Sequence, residues 1–417
     1  MKFLINGGKR LCGAIDVQGA KNSILPILSA CVLCSGEVVL HNCPILSDVT
    51  SAINILNHLG IKTEIMGNDI RIQCTCPETC AVPEKLMREM RSSVVFLGAI
   101  LSRMGCAQIS MPGGCELGPR PIDMHLSALK KLGAVINEEG GVLRCSVPEK
   151  LRGCEIDLSF PSVGATENII LASSLSSGTT VITNAAREPE IVDLALFLNR
   201  CGAKISGMGS STIVIEGVKK LCGCEYSVMP DRIVSVTFLA AAAATRGDVL
   251  LKGARKEDII SVLSLLEEAG CDINIQNDEI RMRSPEKIGA FPIIKTMPYP
   301  GFPTDAQAPM MALSTICEGT TMFVETIFEN RYRHVDELVK MGANIKTEGK
   351  VAVVSGVSRL HGAEVNCTDL RGGAALLIAS LSANGQSKLS QINHIDRGYQ
   401  FVEKELCKLG ADVKRIS

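Results

Sequence analysis

Apolar positions along the chain follow two alternating rhythms. One has helical spacing, as in Leu126, Leu129 and Leu132, and closes on a glycine. The other is a short β-branched or alternating run, such as Ile213-Val214-Ile215 or Val351-Ala352-Val353-Val354. The first predicts a helix with a glycine stop, the second a strand. The closing phrase recurs six times: Leu59-Gly60-Ile61-Lys62, Leu132-Gly133-Ala134-Val135, Cys201-Gly202-Ala203-Lys204, Ala269-Gly270-Cys271-Asp272, Met341-Gly342-Ala343-Asn344 and Leu409-Gly410-Ala411-Asp412. Its glycines are spaced by about 70 residues, too long a period for a solenoid and suited to a small α/β unit.

A second phrase keeps the same register. Lys9-Arg10-Leu11-Cys12-Gly13-Ala14-Ile15-Asp16-Val17 resembles Lys150-Leu151-Arg152-Gly153-Cys154-Glu155-Ile156, Lys220-Leu221-Cys222-Gly223-Cys224-Glu225 and Arg359-Leu360-His361-Gly362-Ala363-Glu364-Val365. It reads as a turn into a strand. A polar turn and an aliphatic helix follow: Gly19-Ala20-Lys21-Asn22-Ser23 before 24–31, and Asp369-Leu370-Arg371-Gly372 before 374–381. Each unit is predicted as strand, helix, strand, helix, strand, strand. Six such βαβαββ units make an α/β (α+β) protein.

Composition narrows the function classes. Aromatic residues are only 3% and Trp is absent, so the cores are aliphatic and base-stacking platforms are not expected. The formal net charge of -1 gives no field for a polyanion, so nucleic acid is not an expected partner. The opening Met1-Lys2-Phe3-Leu4-Ile5-Asn6-Gly7 is too soon interrupted for a secretory signal, and the longest apolar run, around 238–244, stops at Arg246 and Gly247. A cytoplasmic protein without membrane insertion is expected. The 18 cysteines then read as reduced, mostly buried small hydrophobes. Cys31 and Cys34 lie in an apolar helical pattern. Cys74, Cys76 and Cys80 lack a second ligand pair at zinc spacing, although a metal or redox scaffold built on them stands as the non-enzyme alternative.

Candidate chemistry gathers where helices begin. The turns before the first helices hold Lys21 and Asn22, Arg91 and Ser92, Ser162 and Gly164, Asp231 and Arg232, Thr304 and Asp305, and Asp369 and Arg371. Those before the second helices hold Ser47 and Asp48, Cys115 and Arg120, Arg187 and Glu188, Lys256 and Asp258, Asn330 and Arg331, and Asp396 and Arg397. Helix starts carry unpaired N–H groups and partial positive charge. Lys21, Arg91, Arg120, Arg331, Arg371 and Arg397 together imply a small, multiply anionic ligand. One of these turns, Ser110-Met111-Pro112-Gly113-Gly114-Cys115-Glu116-Leu117-Gly118-Pro119-Arg120-Pro121, is dense in Gly and Pro. It reads as a glycine-hinged lid that joins one thiol to one arginine.

These motifs resemble the UDP-GlcNAc enolpyruvyl transferases from end to end. The resemblance is carried by Gly19-Ala20-Lys21-Asn22, Met90-Arg91-Ser92-Ser93, Pro112-Gly113-Gly114-Cys115, Gly118-Pro119-Arg120-Pro121-Ile122-Asp123, Ser162-Val163-Gly164-Ala165-Thr166 and Asn184-Ala185-Ala186-Arg187-Glu188-Pro189-Glu190. It continues through Pro230-Asp231-Arg232, Phe302-Pro303-Thr304-Asp305, Phe328-Glu329-Asn330-Arg331 and His394-Ile395-Asp396-Arg397-Gly398-Tyr399. It implies two lobes, each an inside-out α/β barrel of three units. The first would span 20–229 and the second 1–19 plus 230–417, with the active site in the cleft between them. It also implies transfer of the enolpyruvyl group of phosphoenolpyruvate to the 3′-hydroxyl of UDP-N-acetylglucosamine by addition and elimination. That reaction releases phosphate and is the first committed step of peptidoglycan synthesis, serving cell-wall biogenesis, shape and division.

By the same resemblance Cys115 is the general acid and Asp305 the base, while Lys21 and Arg397 complete the catalytic set. Phosphoenolpyruvate would meet Lys21, Asn22, Arg120, Arg331, Arg371 and Arg397, with Lys21, Arg120 and Arg397 at the phosphate end and Arg331 and Arg371 at the carboxylate. UDP-GlcNAc would meet Asn22, Arg91, Arg120, Pro121, Ile122, Asp123, Met124, Ser162, Val163, Gly164, Asp305 and the backbone of Ile327. No metal and no cofactor are implied. Ser47 and Phe160 stand where some members have Lys, which leaves fewer cations here. The same chemistry on shikimate 3-phosphate is the neighbouring enzyme alternative.

Overall fold

The computed structural model describes residues 1–110 and 122–416. Six small sheets repeat one strand order. In one of them Glu155–Asp157 runs parallel to Thr179–Thr183, which pairs antiparallel with Thr212–Glu216, and Lys204–Ser206 closes the edge. A parallel pair needs a long return connection, and the helix Val163–Ser173 supplies it. The helix Pro189–Arg200 then leads into the closing hairpin. Each sheet with its two helices is thus one βαβαββ module, six in all among the described residues.

The chain order of strands is not the spatial order. Cys12–Asp16 precedes the helix Lys21–Ala30 in sequence but pairs with Asp248–Lys252. The place beside Cys34–His41 that chain order alone would give it is filled by Leu221–Cys222 and Glu225–Ser227, one strand broken in two. Lys2–Asn6 lies between Gln386–Ser390 and Asp412–Ile416. Two compact units result: residues 1–18 with 230–416, and residues 19–110 with 122–229.

In the first unit the helices Arg232–Ala244, Thr304–Ser314 and Leu370–Ser382 pack on one another, with the sheets outside them. Beyond their first turns these helices are buried on every side, so they are apolar all round rather than amphipathic. The run at 238–244 is therefore a central helix, and no described helix is long and apolar enough to cross a membrane. In the second unit Phe96–Met104 packs against Lys21–Ala30 and Val163–Ser173 in the same manner. In the three helices of the first unit the charged side chains, Arg232, Asp305 and Arg371, all lie in the first turn. Asp231 caps its helix by accepting from the amides of Ile233 and Val234 at 2.9 and 3.1 Å. Asp369 accepts from Arg371 and Gly372, both at 3.0 Å.

Candidate active site

Asp305, second residue of the helix Thr304–Ser314, is the centre of the first unit's polar cluster. Arg331 Nη2 lies 2.8 Å from its Oδ1, and Arg371 Nη2 lies 2.9 Å from its Oδ2. The two arginine side chains are only 2% and 5% exposed, against 28% for the carboxylate, so the one face open to solvent belongs to the anion. Burial acts to raise the Asp305 pKa, but Arg371, Arg331 and then Arg232 override it and hold the carboxyl far below the usual range. Arg371 is fixed by a second contact: Nη1 donates to the Tyr399 hydroxyl at 3.1 Å, and that hydroxyl meets Thr237 at 2.9 Å. Arg331 Nη2 also donates to the Thr304 carbonyl at 2.9 Å, while its buried Nε finds no acceptor among the described residues.

Glu325 shapes the adjoining loop. Its Oε1 accepts from the amides of Ile327 and Phe328 at 2.8 and 3.0 Å, and its Oε2 from the Thr304 hydroxyl at 3.0 Å. The Ile327 amide is therefore engaged, and its carbonyl is the backbone group left for a ligand. Arg397 follows the short helix Asn393–Asp396, whose Asp396 is gripped by Arg415 at 2.7 and 2.9 Å.

In the second unit Lys21 opens the helix Lys21–Ala30, with Asn22 beside it. Lys21 Nζ is 2.8 Å from Asp48 Oδ2, and both side chains are largely buried. Asp48 belongs to the first turn of the helix Ser47–His58. A third stretch brings Ser162, Val163 and Gly164 against the helix Asp123–Lys131. A Cβ on Gly164 would lie 3.1 Å from His125 Cε1, so any larger residue would press on that ring. Asn168 Oδ1 accepts from the Gly98 amide at 2.7 Å, which orients its Nδ2 toward His125 Nδ1 at 2.8 Å. The imidazole therefore accepts at Nδ1 and carries its proton on Nε2, facing Gly164. Burial keeps it neutral, with the pKa lowered to about 4. Ser162 Oγ caps the Ala165 amide at 3.3 Å, so the amides of Val163 and Gly164 keep no intrahelical partner. Met124 lies 3.7 Å from Ser159 Oγ. Ile122 and Asp123 begin the same helix.

The structure therefore brings together Asp305, Arg331 and Arg371, and separately Ser162, Val163 and Gly164 with the helix carrying Asp123 and Met124. Cys115, Arg120 and Pro121, with their whole loop, lie outside the described residues. Arg91 opens the short 3-10 turn Arg91–Val95. Ser47 opens its helix, and Phe160 is exposed at the surface. Sequence reasoning named Asp48 and Arg232 only as residues of helix-start turns and Tyr399 only within a motif, and passed over Glu325. Three of these partner residues distant in the chain, a relation that no local pattern encodes. A surface hollow of about 360 Å³ lined by Asp272, Asn274, Arg281 and Arg283 holds none of the candidate residues.

Residues 5–406 match the model of the EPSP synthase (3-phosphoshikimate 1-carboxyvinyltransferase) family. UDP-N-acetylglucosamine 1-carboxyvinyltransferase 2 of Caldanaerobacter subterraneus subsp. tengcongensis is 52% identical over 415 residues, covering 100% of this chain and 99% of the relative. UDP-N-acetylglucosamine 1-carboxyvinyltransferase 1 of Symbiobacterium thermophilum is 50% identical over 420 residues, covering 100% and 95%. Among solved structures, the enolpyruvyl transferase NikO from Streptomyces tendae superposes with a TM-score of 0.90 at 25% identity, over 99% of this chain and 98% of that one. EPSP synthase from Acinetobacter baumannii gives 0.76 at 18% identity over 100% of both chains, a likeness of fold. With βαβαββ modules throughout and a carboxylate clamped by buried arginines, the chain belongs to the enolpyruvyl transferase family, a family of transferases acting on small molecules.

Proposed function

We propose that this chain transfers the enolpyruvyl group of phosphoenolpyruvate to the 3′-hydroxyl of UDP-N-acetylglucosamine, releasing phosphate, as the first committed and cytoplasmic step of peptidoglycan synthesis. The observation that carries this reading is the Asp305–Arg331–Arg371 cluster. A carboxylate able to take the hydroxyl proton stands within hydrogen-bond reach of two buried guanidiniums suited to a substrate carboxylate. Identity of 50% or more along the whole chain to two UDP-N-acetylglucosamine 1-carboxyvinyltransferases supports the acceptor.

In this reading Cys115 delivers a proton to the methylene carbon and Asp305 removes one from the sugar hydroxyl, giving a tetrahedral ketal phosphate that then eliminates phosphate. The oxocarbenium character of the transition state sits between two anions, which fixed cations hold in place. Lys21, Arg120 and Arg397 take the phosphate. Arg331 and Arg371 take the carboxylate. Asn22 meets the sugar hydroxyls. The uncapped amides of Val163 and Gly164, with Ser162, suit a diphosphate at a helix start. Arg91, Pro121, Ile122, Asp123, Met124 and the Ile327 carbonyl complete the nucleotide-sugar contacts. The test is phosphate release from phosphoenolpyruvate. It should require UDP-N-acetylglucosamine; release driven instead by shikimate 3-phosphate would overturn the acceptor assignment.

A further inference from the structure

Five thiols of the second unit converge away from the residues above. Cys31 and Cys34 flank the 3-10 turn after the Lys21 helix, Cys74 ends the strand Asp69–Cys74, Cys201 caps the helix Pro189–Arg200, and Cys224 sits in the break of the strand 221–227. Cys31 is a near neighbour of Cys74, and Cys34 of Cys201, while the Cys31 and Cys34 thiols donate to the Ile27 and Ala30 carbonyls at 3.3 and 3.6 Å. Cys201 Sγ and Cys224 Sγ are 3.4 Å apart, both as free thiols. No group of three or more ligand side chains among the described residues is arranged to hold a metal ion, so the cluster is not a metal cage.

We propose that Cys201 and Cys224 form a reversible dithiol–disulfide site that exchanges with small-molecule disulfides. The backbone already sets the two segments side by side: the Cys222 amide donates to the Cys201 carbonyl at 2.9 Å. Closing the pair from 3.4 Å to a bond of about 2 Å asks for movement of roughly 1.4 Å, within reach of side-chain torsion. Cys224 is partly exposed while Cys201 is buried, which sets the order of events. The Cys224 thiolate attacks one sulfur of an external disulfide. The external S–S bond breaks, and the leaving thiolate takes up the proton that Cys224 gave up. Cys201, losing its own proton, then attacks Cys224 and expels the second external thiol. Two protein thiols are oxidised and one external disulfide is reduced to two thiols.

The neighbouring Cys201 thiol, then burial, raise the Cys224 pKa, and Arg200 pulls against them. Exchange should therefore be slow beside that of a solvent-exposed cysteine. The bridge fastens the Pro189–Arg200 helix to the 221–227 strand. A hydrogen bond of 2.6 Å from the Tyr226 hydroxyl to Asp193 already joins these two segments further along.

The experiment uses the folded full-length chain, incubated with oxidised glutathione, quenched by alkylation and mapped by mass spectrometry. Trypsin releases Cys201 in residues 201–204 and Cys224 in residues 221–232, and the expected product is these two peptides joined, 2 Da below their sum. The link should persist in Cys222→Ser, vanish in Cys224→Ser, and disappear on adding dithiothreitol. Phosphate-release activity should be unchanged in Cys224→Ser. A link through Cys222 would overturn the assignment. So would both thiols remaining alkylatable after a treatment that oxidises surface cysteines such as Cys12, or glutathione held on Cys224 without closure onto Cys201.

Discussion

Asp305 carries a conflict that decides how the site must operate. A base has to accept a proton, yet two buried guanidiniums hold this carboxylate ionised and poorly basic. The same arginines are those proposed for the substrate carboxylate. Arrival of that carboxylate must draw Arg331 and Arg371 away from Asp305, and loss of their field returns basicity to it. Substitution should therefore separate binding from chemistry. Asp305→Ala should lower kcat by about 10² to 10⁴-fold, the usual range for a lost general base. It should also tighten phosphoenolpyruvate binding in the presence of saturating UDP-N-acetylglucosamine, because the internal competitor is gone. Titration calorimetry checks the second effect, and weaker binding in the variant would defeat the competition argument. At Cys115 the expectation is complementary. Cys115→Ser should abolish steady-state turnover, while Cys115→Asp should retain it with a displaced pH profile; full turnover in the serine variant would remove the thiol from the acid role. The sequence displayed all of these residues as polar turns. It did not display that Arg331 and Arg371 converge on one carboxylate, since they lie 26 and 66 positions from it.

Among elements, the module was legible and its assembly was not. Helix and strand rhythms are local, so glycine stops and β-branched runs marked each βαβαββ unit. Strand partnership is not local. The phrase containing Cys12–Asp16 reads as the lead-in to the Lys21 helix, yet it pairs with Asp248–Lys252. The Lys21 helix is instead positioned by Asp193. That buried carboxylate accepts from the Ser23 hydroxyl, from the Tyr226 hydroxyl at 2.6 Å, and from the Met229 amide at 3.2 Å. One side chain thus ties the first turn of the helix bearing Lys21 and Asn22 to the strand Glu225–Ser227 and to the end of the unit. Asp193→Ala would leave these buried donors without an acceptor, which costs on the order of 1–3 kcal/mol for each group not rescued by water. A loss of about 3 kcal/mol in urea unfolding is expected, with an increase in KM for phosphoenolpyruvate as Lys21 loses its register. Ser23→Ala removes donor and demand together and should cost about 1 kcal/mol or less. Equal losses in the two variants would mean that Asp193 is not the anchor.

For the whole molecule the strongest expectation concerns acid. Each unit buries one neutral histidine, His125 in one and His334 in the other, and burial lowers each pKa to about 4. An unfolded histidine titrates near 6.5, so the unfolded chain takes up its proton first as pH falls. Each ring's contribution is therefore complete above about pH 6.5 and is lost as pH drops from there toward 4. At 1.36 kcal/mol per pKa unit, the fall from 6.5 to 5 removes about 2 kcal/mol for each histidine. Depressed carboxylates such as Asp305 and Asp369 follow the same sign but a lower window, below the ordinary aspartate value near 3.9. Glu167 acts in the opposite sense: burial, then Glu190 and Glu188, raise its pKa, so its contribution is lost as pH rises. The histidines are isolated by difference. Urea unfolding followed by circular dichroism, on the whole chain and on His125→Gln and His334→Gln, at pH 7.5 and 5, should show each variant losing about 2 kcal/mol less than the parent over that interval. His334 makes the sharper test, because both of its ring nitrogens lack a hydrogen-bond partner among the described residues and glutamine there sacrifices no existing bond. A parent whose stability does not change between these pH values, with both variants parallel to it, would mean that the rings titrate in the fold as they do in the unfolded chain, and that burial does not hold them neutral at pH 5.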